Sequence, residues 1–312
     1  MPLDPRLAEL IAAKLAHATA PQWELPIAAV RDGFASLWTP ALTGETVPLA
    51  SVATRTVPTR TGTVPVRVYR PDDAWSPSLL MYFHGGGWVK GGLDEADAFC
   101  RRLARRSGRM VLAVGYRLAP EHPFPAALED VWDATAWAYG HAAKLGATGR
   151  GFAVCGESAG GNLAAVVCRL ARAQGGVAIS GQVLLQPVTD LTLSCPSIAM
   201  PETECLVPCA DLAWYYREYL GVGGDPLDPR VSPLWPDDPA GLPPVLIVAA
   251  EYDSLRDEAA AYAEKLRAAR VAVRYSRYPG MIHGFQQMAG LVVAAEQAIE
   301  EVAAFLDRVA PG

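Results

Sequence analysis

Strand-length apolar runs alternating with longer helical patterns predict an α/β protein, a mostly parallel sheet with helices on both faces. Two sets of segments carry that prediction. Leu79–Phe83, Met110–Val114, Phe152–Cys155, Gln182–Leu185 and Val245–Ala250 are short and apolar almost throughout, as strands covered on both faces are. Asp94–Arg106, Asn162–Ala173 and Asp257–Ala269 follow such strands with helical patterns, and Val292–Val309 closes the chain as a long amphipathic helix. Thr63–Tyr69 alternates residue by residue and predicts a half-exposed strand. Val271–Tyr278 alternates again and predicts a strand nearer an edge.

Two stretches interrupt this order. Residues 1 to about 50 carry helical patterns ahead of the first clear strand. Residues from about 190 to 240 are rich in Pro, Asp and aromatics, with a helix expected at Ala210–Tyr219. A structureless loop of that length is unusual in a compact domain. Both stretches are therefore expected to cap the carboxyl end of the sheet, where open α/β sheets bind their ligands. The expected division is N-terminal cap helices over 1–50 and a catalytic domain over 51–312, with a cap insertion at about 190–240.

Composition narrows the function classes. With 51% hydrophobic and 19% charged residues, the 312-residue chain reads as a packed globular protein. Its net charge of -6 offers no electrostatic reason to bind nucleic acid or an anionic membrane. Charges run throughout the N-terminus, unlike a secretory leader, and no stretch approaches the roughly 18 apolar residues of a membrane span. The expectation is a soluble, cytoplasmic protein. Cys100, Cys155, Cys168, Cys195, Cys205 and Cys209 are scattered, with no zinc-ligand spacing, so no structural metal is implied.

The chemistry is concentrated in loops that follow strands. Phe152–Cys155 leads into Gly156-Glu157-Ser158-Ala159-Gly160 and then a helix, the strand–turn–helix setting in which G-x-S-x-G presents a nucleophilic serine. Strand and helix pass close to such a turn, so a side chain at 156 or 160 would clash. Leu79–Phe83 ends in His84-Gly85-Gly86-Gly87-Trp88. Three consecutive glycines cost chain entropy and pack nothing, but bare backbone N–H groups can hold the oxyanion of acyl transfer. Gly86 and Gly87 are assigned as donors, with the Ala159 N–H as the third. No phosphate-loop pattern accompanies these glycines.

His283 is assigned as the base, because Gly280-Met281-Ile282-His283-Gly284-Phe285 follows a strand and precedes the last helix. His84 is expected to brace its loop, His122 to be structural, and His17 and His141 to lie at the surface. The acid is sought after Val245–Ala250, where Asp253 and Asp257 compete. Ser254-x-x-Asp257 resembles a helix-start signature, so Asp257 is assigned to capping and Asp253 to catalysis. Ser158, Asp253 and His283 then form a nucleophile, orienting acid and base.

With these residues assembled, the chain resembles the hormone-sensitive-lipase-like (family IV) bacterial esterases of the α/β-hydrolase superfamily. The matching residues are His84-Gly85-Gly86-Gly87-Trp88, Tyr116-Arg117-Leu118-Ala119-Pro120-Glu121, Gly156-Glu157-Ser158-Ala159-Gly160-Gly161-Asn162, Asp253 with Leu255-Arg256-Asp257-Glu258, and His283-Gly284-Phe285. The resemblance implies an eight-stranded, mostly parallel sheet under a helical cap and no cofactor. It also implies hydrolysis of esters with short to medium acyl chains, and members that are often homodimers. Glu157 departs from the aspartate or threonine more usual there. Trp88, Trp214, Tyr215 and Tyr216 are candidates to line a substrate pocket, or simply to pack the cap. Amide or formamide cleavage would use the same triad, and a small-molecule receptor could use the same fold.

Overall fold

The computed structural model describes the chain except residues 72–75, 148–150, 236–237 and 310–312. The expected ranges 51–312 and about 190–240 include those positions, which lie outside the described residues. Eight strands form one sheet: β1 (Ser51–Thr59), β2 (Gly62–Arg70), β3 (Ser76–Phe83), β4 (Arg109–Val114), β5 (Ala153–Glu157), β6 (Gly181–Leu185), β7 (Val245–Tyr252) and β8 (Val273–Ile282). Their order is β1-β2-β4-β3-β5-β6-β7-β8. β2 runs antiparallel to β1 and β4, and every other pair is parallel.

Among the described residues the helices are α1 (Pro5–His17), α2 (Ile27–Ala35), α3 (Pro40–Thr43), α4 (Asp97–Ser107), α5 (Ala126–Gly140), α6 (Ala142–Leu145), α7 (Ala159–Gln174), α8 (Cys209–Leu220), α9 (Arg256–Ala268) and α10 (Val293–Val309). The strand period of two divides the core. Leu79, Met81 and Phe83 of β3 pack on one face with Val131 of α5, Leu163 of α7 and Tyr262 of α9. Leu80 and Tyr82 pack on the other with Phe99 of α4, Ile299 of α10 and Leu7 of α1. This is the two-sided covering that the apolar strands require.

Three local expectations are revised. β1 was not anticipated, because it is an edge strand with only Val57 buried and shows no apolar period. α5 was also missed: its buried residues, from Ala126 to Ala138, surround much of the helix and leave little amphipathic contrast. The helix-start reading of Ser254 is corrected. Its hydroxyl donates to the Val207 carbonyl at 2.8 Å instead, and α9 begins after Leu255 without a side-chain cap. Asp257 does stand in the first turn of α9, where its carboxylate pairs with Arg256.

Candidate active site

The strands end where the chemistry begins. Ser158 follows β5, His84 follows β3, Asp253 follows β7 and His283 follows β8, each directly. At 158 the backbone turns with φ 54 and ψ -118, a conformation costing a non-glycine residue about 1–3 kcal/mol. Neighbouring glycines make that turn possible. A Cβ on Gly156 would lie 2.0 Å from the Gly160 carbonyl oxygen, and one on Gly160 would lie 2.0 Å from that of Phe83. The Ser158 carbonyl accepts from the N–H of Asn162 at 3.0 Å and of Val188 at 3.2 Å, so the turn is tied to both the helix and the loop after β6.

His283 and Asp253 are joined. The His283 Nδ1–H donates to Asp253 Oδ2 at 2.9 Å, which leaves Nε2 of a neutral ring as the free acceptor. The other Asp253 oxygen accepts from the Leu255 N–H at 3.0 Å. Asp253 is 1% exposed and His283 7%, so the pair is screened from water. Burial pulls the imidazole pKa down, but the charge and hydrogen bond of Asp253, with Glu157 adding, leave it above the ordinary histidine value. The Gly284 N–H donates to Gln186 Oε1 at 3.3 Å, which ties the loop to the end of β6, two strands away.

The glycine turn after β3 is constrained with equal closeness. Gly86 and Gly87 have φ of 116° and 63°, a region that favours glycine. A Cβ on Gly86 would lie 2.1 Å from the Lys90 carbonyl oxygen, and one on Gly87 would lie 2.5 Å from the Tyr215 ring. Among the described residues, nothing accepts from the N–H groups of Gly86, Gly87 or Ala159. His84 braces this turn: its Nδ1–H donates to the Gly85 carbonyl at 2.8 Å and its ring stacks on Tyr116 at 4.1 Å. Burial lowers its pKa to about 4, against the effect of that hydrogen bond, so it stays neutral at ordinary pH.

Ser158, His283, Gly86, Gly87, Trp88, Tyr215 and Tyr216 line one cavity, which opens to solvent. Both stretches that break the strand–helix alternation contribute further walls, among them Phe34 and Trp38 from the first and Leu206 and Leu212 from the second. Trp214 is not among the lining residues. On α8 the lining positions are Asp211, Leu212, Tyr215 and Tyr216, a helical stripe from which residue 214 is rotated away. Its side chain packs in the core beside Tyr215. Trp88 both lines the cavity and packs, stacked on Tyr219 at 4.0 Å.

Beneath the nucleophile turn, Glu157 is buried and accepts from Gln287 Nε2 and, at 3.4 Å, from the Tyr82 hydroxyl. Burial raises its pKa, with His283, Gln287, Gln286 and Tyr82 opposing. The arrangement offers a serine hydroxyl at a helix N-terminus, an imidazole hydrogen-bonded to a buried carboxyl, and bare N–H groups on Gly86 and Gly87 of the same cavity and on adjacent Ala159. Those parts serve acyl transfer.

The model of a family with the alpha/beta hydrolase fold matches residues 80–287, more than half of the chain. The chain belongs to this family. It is 42% identical over 263 residues to the carboxylic ester hydrolase LipN of Mycobacterium tuberculosis, covering 81% of this chain and 70% of that one. With the ethyl acetate hydrolase of Pseudomonas putida it shares 41% identity over 246 residues, 77% of each chain. The solved structure of a hyperthermophilic esterase from the archaeon Pyrobaculum calidifontis superposes with a TM-score of 0.92 at 38% identity, covering 99% of both chains.

Sequence reasoning did not find Gln186, Gln22, Lys14, Lys90 or Asp211. The first braces the His283 loop and the others line the cavity. Lys90 alone had a visible signal, as a charged residue two positions past the glycine–tryptophan turn.

Proposed function

We propose that Ser158, His283 and Asp253 hydrolyse carboxylic esters of short to medium acyl chains through an acyl-enzyme. The chain is a carboxylesterase by its relatives, which are named carboxylic ester hydrolase and ethyl acetate hydrolase. The single observation that supports this assignment of residues is the 2.9 Å bond from His283 to buried Asp253, on a ring that shares its cavity with Ser158.

In this reading Ser158 Oγ attacks the ester carbonyl while His283 Nε2 takes its proton. The oxyanion receives the N–H groups of Gly86, Gly87 and Ala159. Asp253 keeps the acceptor nitrogen facing the serine and stabilises the imidazolium. His283 then protonates the departing alcohol, and the same base activates water to release the acid. The described residues of the stretches 1–50 and about 190–240 form the cap that shapes the cavity. Glu157, unusual at its position, adds a second carboxyl near the base without displacing any of these roles.

The test is hydrolysis of p-nitrophenyl esters from acetate to dodecanoate, by wild type and Ser158→Ala. Turnover of the short esters should fall by about a millionfold in the variant, the loss typical of a removed serine nucleophile. Equal turnover in both proteins would show that Ser158 is not the nucleophile. An inert but folded wild type would move the weight to amide substrates or a receptor.

A further inference from the structure

The cavity above Ser158 has a second polar end, set among apolar walls. Lys90 Nζ donates to Gln22 Oε1 at 2.7 Å and lies over the rings of Phe34 and Tyr215, 4.8 and 5.0 Å from their centroids. The same Gln22 oxygen accepts from the Tyr215 hydroxyl at 2.9 Å. Gln22 Nε2 donates to Asp211 Oδ2 at 2.7 Å, and Lys14 Nζ lies 3.3 Å from that oxygen. All of these residues line the cavity that holds Ser158 and His283.

The two lysines there differ. Lys14 is paired with Asp211 and also donates to the Leu206 carbonyl at 2.8 Å. Lys90 has no carboxylate of its own, and among the described residues Gln22 Oε1 is its only hydrogen-bond acceptor. An ammonium carries three donors, so two remain for a ligand. Burial pulls its pKa down to about 7, with Asp211 opposing and Lys14 assisting. Lys90 is only half-buried, so its remaining donors face the cavity, where a ligand anion can take them in place of water. With Lys14 balanced by Asp211, protonated Lys90 leaves this end with one uncompensated positive charge.

Tyr215 measures the distance between the two ends. Its ring lies so close to Gly87 that a Cβ there would be 2.5 Å away, while its hydroxyl reaches Gln22. About the length of one phenol ring therefore separates the glycine turn from the partner of the ammonium.

We propose that Lys90 binds a carboxylate carried by the substrate, so that this chain favours half-esters of short dicarboxylic acids over uncharged esters of similar length. The inference rests on the esterase reading above. The bond broken is still the ester acyl–oxygen bond: water supplies the new acid's hydroxyl, and the alcohol leaves with a proton. The distal carboxylate is held at Lys90 and does not react.

The experiment measures kcat/KM for monoethyl glutarate and for ethyl hexanoate, its uncharged counterpart, with wild type and Lys90→Met. Wild type should favour the half-ester, and the ratio of the two constants should fall by about tenfold or more in the variant, as for loss of one charge-assisted hydrogen bond. The wild-type ratio should also decline as pH rises past about 7 and Lys90 loses its proton, whereas that of Lys90→Met stays flat. His283 titrates in both reactions and cancels in the ratio. A merely structural Lys90 would lower both constants together, and an unchanged ratio overturns the proposal. So does a wild type that favours ethyl hexanoate. If Lys90→Met does not fold, the pH dependence of the wild-type ratio decides alone. Hydrolysis of neither ester by folded wild type overturns the esterase reading as well, which separates the two failures.

Discussion

The two ends of the cavity are built by different means. At the Ser158 end, position is imposed by backbone against backbone: the turn exists because Gly156 and Gly160 leave space for carbonyl oxygens that a Cβ would strike. At the Lys90 end, position comes from side chains of distant segments, linked through Gln22. The first kind of construction tolerates almost no substitution, whereas the second can change one hydrogen bond at a time. A reactive centre held rigidly beneath a wall held by exchangeable side chains can keep one chemistry while its substrate range varies.

The sharpest way to break that comparison is Gly160→Ala. The added Cβ would stand 2.0 Å from the Phe83 carbonyl oxygen and 2.5 Å from that of His84, both on backbone at the end of β3. Relief requires moving a central strand or the start of α7. The expected cost exceeds about 4 kcal/mol, in the class of severe packing defects. Chemical denaturation measures it, and a near-normal midpoint would mean that the turn is less rigid than argued.

Next in size is Asp253→Asn, which leaves the fold and removes the charge. The turnover number should fall by about three to four orders of magnitude, since the amide can hold the imidazole in the wrong tautomer. The pH profile supplies a second readout. In the proposed mechanism His283 must be neutral to accept the serine proton, so activity is lost as pH falls through its pKa. Asp253 contributes to holding that pKa above the ordinary histidine value, so the residual activity should show its acid limb at lower pH than wild type.

These contrasts explain what was legible in the sequence. The placement of Ser158 could be read because its turn demands glycine at fixed spacings, and that of Asp253 and His283 because each directly follows a strand. Central strands such as β4 and β5 are buried along their whole length and announce themselves as apolar runs. β1 did not, since an edge strand with one buried residue needs no apolar pattern. Ser254 misled because a local helix-start pattern was outweighed by a hydrogen bond to Val207, 47 positions away. Gln22, Lys14 and Asp211 carry no motif at all, because their proximity is a product of the fold. Trp214 was grouped with its neighbours by type, while the helix turns it toward the core.

Glu157→Gln is the mildest substitution and refines the comparison from within the rigid end. Glu157 is as closely surrounded as the glycines, yet it acts on the base through charge. Its hydrogen-bond partners, Gln287 and Tyr82, both donate to it, and the amide oxygen of glutamine can still accept from one of them. Steric damage should therefore be small. Whatever negative charge Glu157 carries favours the protonated imidazole, so removing it should lower the His283 pKa. The acid limb of kcat/KM for a neutral ester should then move toward lower pH by less than about one unit, with the plateau nearly unchanged. Whether the limb moves distinguishes the two protonation states of Glu157. A limb that does not move means that burial keeps this carboxyl protonated across the working range, in the direction its own raised pKa already points, and Asp253 alone then sets the base.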